Sequence, residues 1–106
     1  MSSAGERYLK EVRRLPCEIC VRFFGVPSDP ANTPVSSAHH PRTGAGGGRK
    51  NPDEDAIALC AAHHQNSNEA LHVMGRKAFE RHFGVTEAEL TESTRKRVQQ
   101  MRAMEV

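Results

Sequence analysis

The 106-residue sequence contains no tryptophan, one tyrosine and four phenylalanines, so it has few large side chains with which to build a core. Chains of this size commonly compensate for a thin core with disulfides or a bound metal. Only three cysteines are present, an odd number that excludes a complete set of disulfide pairs. No apolar stretch is long enough to span a bilayer, and the N-terminal segment has no apolar signal-peptide core. We therefore expect one cytoplasmic domain over residues 1–106, without a membrane partner, in which reduced thiols bind metal.

An excess of charge of one sign is also missing. Fifteen lysines and arginines stand against thirteen aspartates and glutamates, and the net charge of +2 is too small to predict nucleic-acid binding by itself. Arg42, Arg49 and Lys50 flank a run of glycines, and further basic residues follow in segments 76–81 and 95–97. A solvated surface explains such clusters as well as a nucleic-acid partner does, so composition leaves both interpretations open.

The apolar residues predict helices on either side of a short β element, which is an α+β fold. At the N-terminus, apolar residues recur at helical spacing until Pro16, and this pattern predicts a helix over residues 6–15. Short apolar runs predict strands over residues 35–40 and 56–60.

The C-terminal third carries clear helix boundary signals. Residues 76–83 have helical periodicity, and Gly84 follows as a C-terminal cap. Thr86 and Glu89 form the pattern of a capping box, which predicts that a second helix begins there and runs over about residues 87–104.

Three cysteines and a histidine have the spacing of a zinc site. Cys17 and Cys20 form one Cys-x-x-Cys knuckle, and Cys60 and His63 form a Cys-x-x-His knuckle. Two-residue spacing lets both side chains of a tight turn reach one ion, and thiolates with imidazole suit Zn²⁺. The alternative, that the cysteines are small buried apolar residues, does not explain why they are paired. Four protein ligands close a site to substrate, so we assign this zinc to folding.

The histidines at positions 39, 40, 64 and 72 indicate a second metal site. His64 neighbours His63, and His39 neighbours His40; consecutive side chains point in different directions, so neighbours do not serve the same ion. His72 lies a few residues further on. A single histidine of this kind is more often a surface or hydrogen-bonded residue, but clustered imidazoles favour a second metal and an acid–base group.

Together these motifs resemble the HNH nucleases, the ββα-metal family. The resemblance is carried by Cys-x-x-Cys at residues 17–20, Ala-His-His-Pro at 38–41 and Ile-Ala-Leu-Cys-Ala-Ala-His-His at 57–64. The continuation LHVMGRKAFERHFGV, residues 71–85, is similar to phage- and prophage-encoded HNH proteins of the Ref type, known for RecA-dependent DNA cleavage. The similarity covers roughly residues 16–92.

The resemblance implies a role for each histidine. His40 would be the general base, and His39, His64 and His72 would bind a catalytic divalent ion, which could be Mg²⁺, Mn²⁺ or Zn²⁺. Two short antiparallel strands and a helix would surround that ion, with the structural zinc behind it. The substrate would be DNA in a bacterial host cell, in a recombination-related role. We assign contacts with DNA backbone phosphates, which carry no base information, to Arg42, Arg49 and Lys50.

Three features depart from the family pattern. The second knuckle is Cys-x-x-His rather than the commoner Cys-x-x-Cys. The middle Asn is absent, and either Asp53 or Asp55 stands near its place. The separation of His64 and His72 exceeds one helical turn, so both can bind one ion only if the backbone bends between them, where Asn68 is an alternative ligand.

A different class of protein also fits the knuckles. A zinc-binding module that contacts DNA or protein without cutting would use the three cysteines and one histidine, leaving His39, His40 and His72 without a role. A degenerate nuclease used as a structural phage component is a third interpretation. The metal content separates them, because a binding module holds one ion and a nuclease holds zinc plus a second, exchangeable ion.

The resemblance further implies a RecA filament as a partner. However, only about fifteen residues precede the first knuckle, too few for a long basic arm that could grip a filament electrostatically. We therefore expect DNA cutting that does not strictly require RecA.

Overall fold

The computed structural model describes residues 4–25, 36–41, 52–65 and 67–104. Its elements, in chain order, are α1 (Ala4–Arg14), α2 (Glu18–Phe23), β1 (Ser37–His39), a 3-10 turn (Asp53–Asp55), β2 (Ile57–Leu59), α3 (Ala61–His64), α4 (Leu71–Met74), α5 (Arg76–Phe83) and α6 (Glu87–Met104). This is the small α+β fold that the sequence predicts. None of the helices in the described ranges is long and apolar enough to cross a bilayer.

The two strands pair antiparallel, and their register decides which side chains share a face. Ser37 lies opposite Leu59, and His39 lies opposite Ile57. Because side chains alternate along a strand, Ser37 and His39 lie on one face of the sheet and Ala58 lies on the other. Both strands are shorter than predicted, with three paired residues each. The register thus places two polar side chains of β1 on a single face.

Each face of the sheet is covered by its own apolar cluster. The face of Ala58 packs against α1 and α6 in a buried cluster of Tyr8, Val12, Leu15, Ala56, Ala58, Val98 and Met101. The opposite face forms a second cluster of Cys17, Ile19, Ile57, Leu59, Leu71, Phe79, Val85 and Leu90. Because this second cluster takes residues from α2, β2, α4, α5 and α6, it fixes these elements around the face that carries His39.

The junction of α5 and α6 follows the predicted boundary signals. Gly84 ends α5 in the left-handed conformation with φ of 68°, which a glycine adopts without steric cost. The Thr86 hydroxyl oxygen then accepts a hydrogen bond from the backbone N–H of Glu89 at 3.1 Å. Val85 and Leu90 are both buried on either side of this cap, as a hydrophobic staple requires. The predicted bounds of both helices are confirmed, and the first residue of α6 is held in a defined place.

Helix α2 was not predicted, and a buried carboxylate ties it to α6. Glu18 has no exposed surface. Its oxygens accept hydrogen bonds from the hydroxyls of Ser93 at 2.7 Å and Thr94 at 3.2 Å, and the Arg97 Nε lies 3.4 Å away. These partners replace the water that a buried carboxylate loses. The helix that bears Cys20 is therefore attached to the longest helix of the chain.

Candidate functional site

The structure brings the four predicted zinc ligands together. Cys17 and Cys20 come from the start of α2, and Cys60 and His63 come from the start of α3. One ligand atom from each residue lies within 4.8 Å of all the others. Helical turns provide this convergence, since the backbone N–H of Val21 bonds the Cys17 carbonyl and that of His63 bonds the Cys60 carbonyl. The cluster can hold a metal ion such as zinc.

The distances within this cluster fit tetrahedral zinc. Bond lengths near 2.3 Å to sulfur and 2.0–2.1 Å to nitrogen place two sulfurs about 3.8 Å apart, and a sulfur and a nitrogen about 3.6 Å apart. Here the sulfurs of Cys20 and Cys60 are 3.8 Å apart. The His63 Nδ1 lies 3.6 Å from the Cys17 sulfur, 3.5 Å from that of Cys20 and 3.2 Å from that of Cys60. The first three of these distances agree with a tetrahedral zinc site to within about 0.1 Å, and the contact between Cys60 and His63 is shorter by about 0.4 Å, which a small shift of the imidazole would relieve.

The surroundings of the cluster raise the affinity of two of its thiols, those of Cys17 and Cys20, for protons. Burial, and then the neighbouring thiolates, raise the pKa of Cys20, and burial likewise raises the pKa of Cys17. Burial lowers the pKa of His63, so its imidazole is neutral at pH 7. A divalent cation reverses the preference of the thiols by stabilising the thiolates, and its binding releases protons.

A second cluster consists of His39, His64 and His72. One ring nitrogen from each lies within 4.8 Å of the other two. His39 ends β1, His64 ends α3, and His72 lies in α4. The turn between α3 and α4 supplies the backbone bend that the spacing of His64 and His72 requires, and Asn68 lies exposed in that turn. Predicted separately from the zinc ligands, these three residues also meet in space.

This second cluster differs from the first in its ligands and its exposure. It contains three imidazoles and no thiolate; His39 is buried, whereas His72 is exposed. Three protein ligands with one open side are typical of sites where a metal meets substrate, whereas four ligands are typical of structural zinc. The Nε2 atoms of His64 and His72 are 3.0 Å apart, slightly less than the roughly 3.3 Å that two nitrogens around one tetrahedral ion require. A small outward rotation of the exposed His72 ring satisfies that spacing.

The hydroxyl of Ser37 determines which nitrogen of His64 carries the proton. This hydroxyl donates to the Leu59 carbonyl at 3.0 Å and lies 2.6 Å from Nδ1 of His64. A hydroxyl has one hydrogen, so Nδ1 of His64 is the donor in the second contact. The Nε2 lone pair of His64 then points toward His72. Burial, and then the charges of His39 and His72, lower the pKa of His64 to about 4, so this lone pair stays available at neutral pH.

His40, the predicted base, directly follows His39 at the end of β1, and its ring contacts a residue outside the histidine cluster. Its Nε2 lies 2.8 Å from Oδ1 of Asp53, at the start of the 3-10 turn. Asp55, the other candidate for the missing Asn, instead pairs with Arg95 of α6. Asp53 is therefore the acidic residue that orients His40.

Two residues of this region were not foreseen from the sequence. Ser37 contacts His64 only because the strand register places it there, and Glu87 of α6 lies 2.7 Å from Nε2 of His39. Acidic residues are common at helix N-termini because they interact favourably with the helix dipole. The sequence therefore does not indicate that Glu87 contacts His39. The predicted phosphate contacts, Arg42, Arg49 and Lys50, lie outside the described residues.

Comparisons with known proteins give no family for this chain. No protein-family model, no curated protein and no solved structure matches it. The chemistry of the two clusters and of His40 is therefore the basis on which a function is assigned.

Proposed function

We propose that the protein is a metal-dependent endonuclease of the HNH type that hydrolyses DNA phosphodiester bonds. The observation that supports this best is the open cluster of His39, His64 and His72, with His40 directly following one of its members. A zinc-binding interaction module needs only the cysteine cluster. It gives no reason for three further imidazoles to converge, or for a neighbouring histidine to be oriented by a carboxylate.

In the proposed reaction, His40 removes a proton from a water molecule whose oxygen attacks the phosphorus, and the 3′-oxygen of the sugar leaves. Nε2 of His40 donates a hydrogen bond to Oδ1 of Asp53, so in the neutral imidazole the other nitrogen, Nδ1, carries the lone pair that this role requires. His39, His64 and His72 would hold a divalent ion, and the chemistry it would supply is Lewis-acid stabilisation of the charge that develops on the phosphate oxygens and the leaving oxygen. The Cys3His cluster has no open position and stabilises the fold.

Metal content and plasmid nicking together test this proposal. Purified protein is expected to retain one zinc through dialysis, to bind a second divalent ion reversibly and to nick supercoiled plasmid only with that ion present. His64→Ala is the matched variant, and it is expected to keep the zinc and lose both the second ion and the nicking. A wild-type protein that holds a single ion and does not nick DNA would instead be the non-catalytic binding module.

The contact between α1 and Asp53 gives an independent prediction. A Cβ on Gly5 would lie 2.4 Å from Oδ2 of Asp53, so Gly5→Ala forces this carboxylate to move. Alanine is favoured over glycine within a helix by about 1 kcal/mol, which offsets part of the strain. We expect Gly5→Ala to retain its melting temperature within a few degrees and to nick DNA up to about a hundredfold more slowly, because His40 loses its orientation. Circular dichroism melts and nicking rates measure the two effects; equal nicking rates would contradict the role of Asp53.

We further propose that a RecA filament is a partner that stimulates cutting without being required for it. One DNA substrate is incubated with the protein and its divalent ion, with and without RecA and ATP, at matched salt. Nicking is expected in both reactions, with at most a modest increase in the presence of RecA. Activity confined to the reaction that contains the filament would refute this expectation.

A further inference from the structure

We propose that Glu87 is a positioning residue that fixes the orientation and the tautomer of His39 for metal binding. This inference rests on the second metal site proposed above. Oε2 of Glu87 lies 2.7 Å from Nε2 of His39, and the side chains are only 6% and 8% exposed. The contact joins residues 48 positions apart, so it is a property of the fold and not of a local turn.

The chemistry of the pair determines the tautomer of His39. An ionised carboxylate only accepts hydrogen bonds, so Nε2 of His39 carries the proton that it donates to Glu87. The Nδ1 atom of the same ring is then the unprotonated nitrogen. A histidine that donates one ring N–H to a carboxylate offers its other nitrogen as a fixed and more basic metal ligand.

Two residues of α5 hold Glu87 in place. The backbone N–H of Glu87 donates to Oε2 of Glu80 at 2.8 Å, and Nε of Arg76 lies 4.0 Å from Oε1 of Glu87. Arg76 also donates to Oε1 of Glu80 at 3.1 Å. Since Arg76 lies beside Oε1, the other oxygen, Oε2, is directed at His39. The α5–α6 junction therefore supports the second cluster, to which neither helix contributes a ligand.

The same logic applies to His64, where the Ser37 hydroxyl receives the Nδ1 proton. The two partners differ in charge, however. Glu87 places a buried carboxylate directly beside the cluster, which partly balances a divalent cation, whereas Ser37 is neutral. Removing the charge of Glu87 while keeping its shape should therefore weaken binding of the second ion more than it disturbs the fold.

The test compares Glu87→Gln with Glu89→Gln, which removes the same charge two residues further along the first turn of α6, from an exposed side chain that accepts a hydrogen bond from the Thr86 hydroxyl. Zinc-loaded proteins are titrated with Co²⁺, and the second site is followed by its visible absorption and by calorimetry. Glu87→Gln is expected to bind Co²⁺ about 10- to 100-fold more weakly than wild type, while retaining one zinc. Glu89→Gln is expected to match wild type. Equal Co²⁺ affinity of Glu87→Gln and wild type would overturn the proposal.

A measurement on the unaltered protein covers the case in which Glu87→Gln does not fold. Long-range ¹⁵N–¹H spectra of the zinc-loaded wild type, without the second ion, report which imidazole nitrogen carries the proton. We expect the Nε2-protonated form of His39, and an Nδ1-protonated form would overturn the proposal. Neither measurement uses cleavage, so a wild type that binds Co²⁺ and leaves DNA intact would remove the nuclease assignment without affecting this result.

Discussion

Replacing His40 with alanine is expected to slow DNA nicking by about a hundredfold to ten-thousandfold, the usual cost of removing a general base. The fold should persist, because the His40 side chain belongs to neither metal cluster nor apolar cluster. Both ions should remain for the same reason. The measurement is the initial rate of plasmid nicking at saturating divalent ion, together with metal content determined for the same samples.

His82→Ala is the matched control for this experiment. His82 is an exposed histidine of α5 whose Nε2 lies 3.0 Å from Oε2 of Glu69, an arrangement similar to that of His40 with Asp53 but on the surface. We expect this variant to nick at the wild-type rate. If His40→Ala also nicks at that rate, His40 is not the base and His39 becomes the next residue to examine.

Replacing Cys17 with serine is expected to unfold the protein. Binding of a structural zinc contributes on the order of 10 kcal/mol or more, and only in the folded state. A core in a chain of this size supplies about 3–5 kcal/mol, so the apolar clusters cannot compensate for the loss. Cys17 is itself buried within one of these clusters, where a serine hydroxyl would lose its hydration. Circular dichroism melts, with and without a strong chelator on the wild type, provide the measurement.

His72→Ala is the control for metal loss in general. It removes an exposed side chain of the second cluster and leaves the cysteine cluster unchanged, so a cooperative melt close to that of wild type is expected. Chelated wild type should melt like Cys17→Ser. A chelated protein that still melts cooperatively at the wild-type temperature would show that the zinc is not structural.

The sequence predicted those features that depend on neighbouring residues. The bounds of α5 and α6 depend on Gly84 and the Thr86 cap, which act within a few positions of the chain. The candidate zinc ligands are recognisable because a knuckle requires two-residue spacing. The three clustered histidines were predicted by resemblance to a family, and the structure places them together.

Features that depend on distant residues could not be predicted in this way. Helix α2 contains a buried glutamate whose hydrogen-bonding partners Ser93 and Thr94, and the nearby Arg97, reach it from α6. Which aspartate contacts His40 depends on the 3-10 turn, which places Asp53 beside that ring, and on Arg95, which pairs with Asp55 instead. Nothing in the sequence near Glu87 or Ser37 indicates a contact with a histidine. The α5–α6 junction places Glu87 beside His39, and the strand register places Ser37 beside His64.

We expect the four-residue helix α3 to make assembly of the two candidate metal sites sequential. The backbone N–H groups of both His63 and His64 donate to the carbonyl of Cys60, so a residue of the cysteine cluster anchors a histidine of the other cluster. A single helical turn is not stable on its own, so we expect α3 to depend on metal binding at the cysteine cluster for its shape. We therefore expect a newly synthesised chain to be inert toward DNA until it has acquired zinc. The supply of zinc in the cell would then determine how much of the protein can cut, whatever the abundance of the second ion.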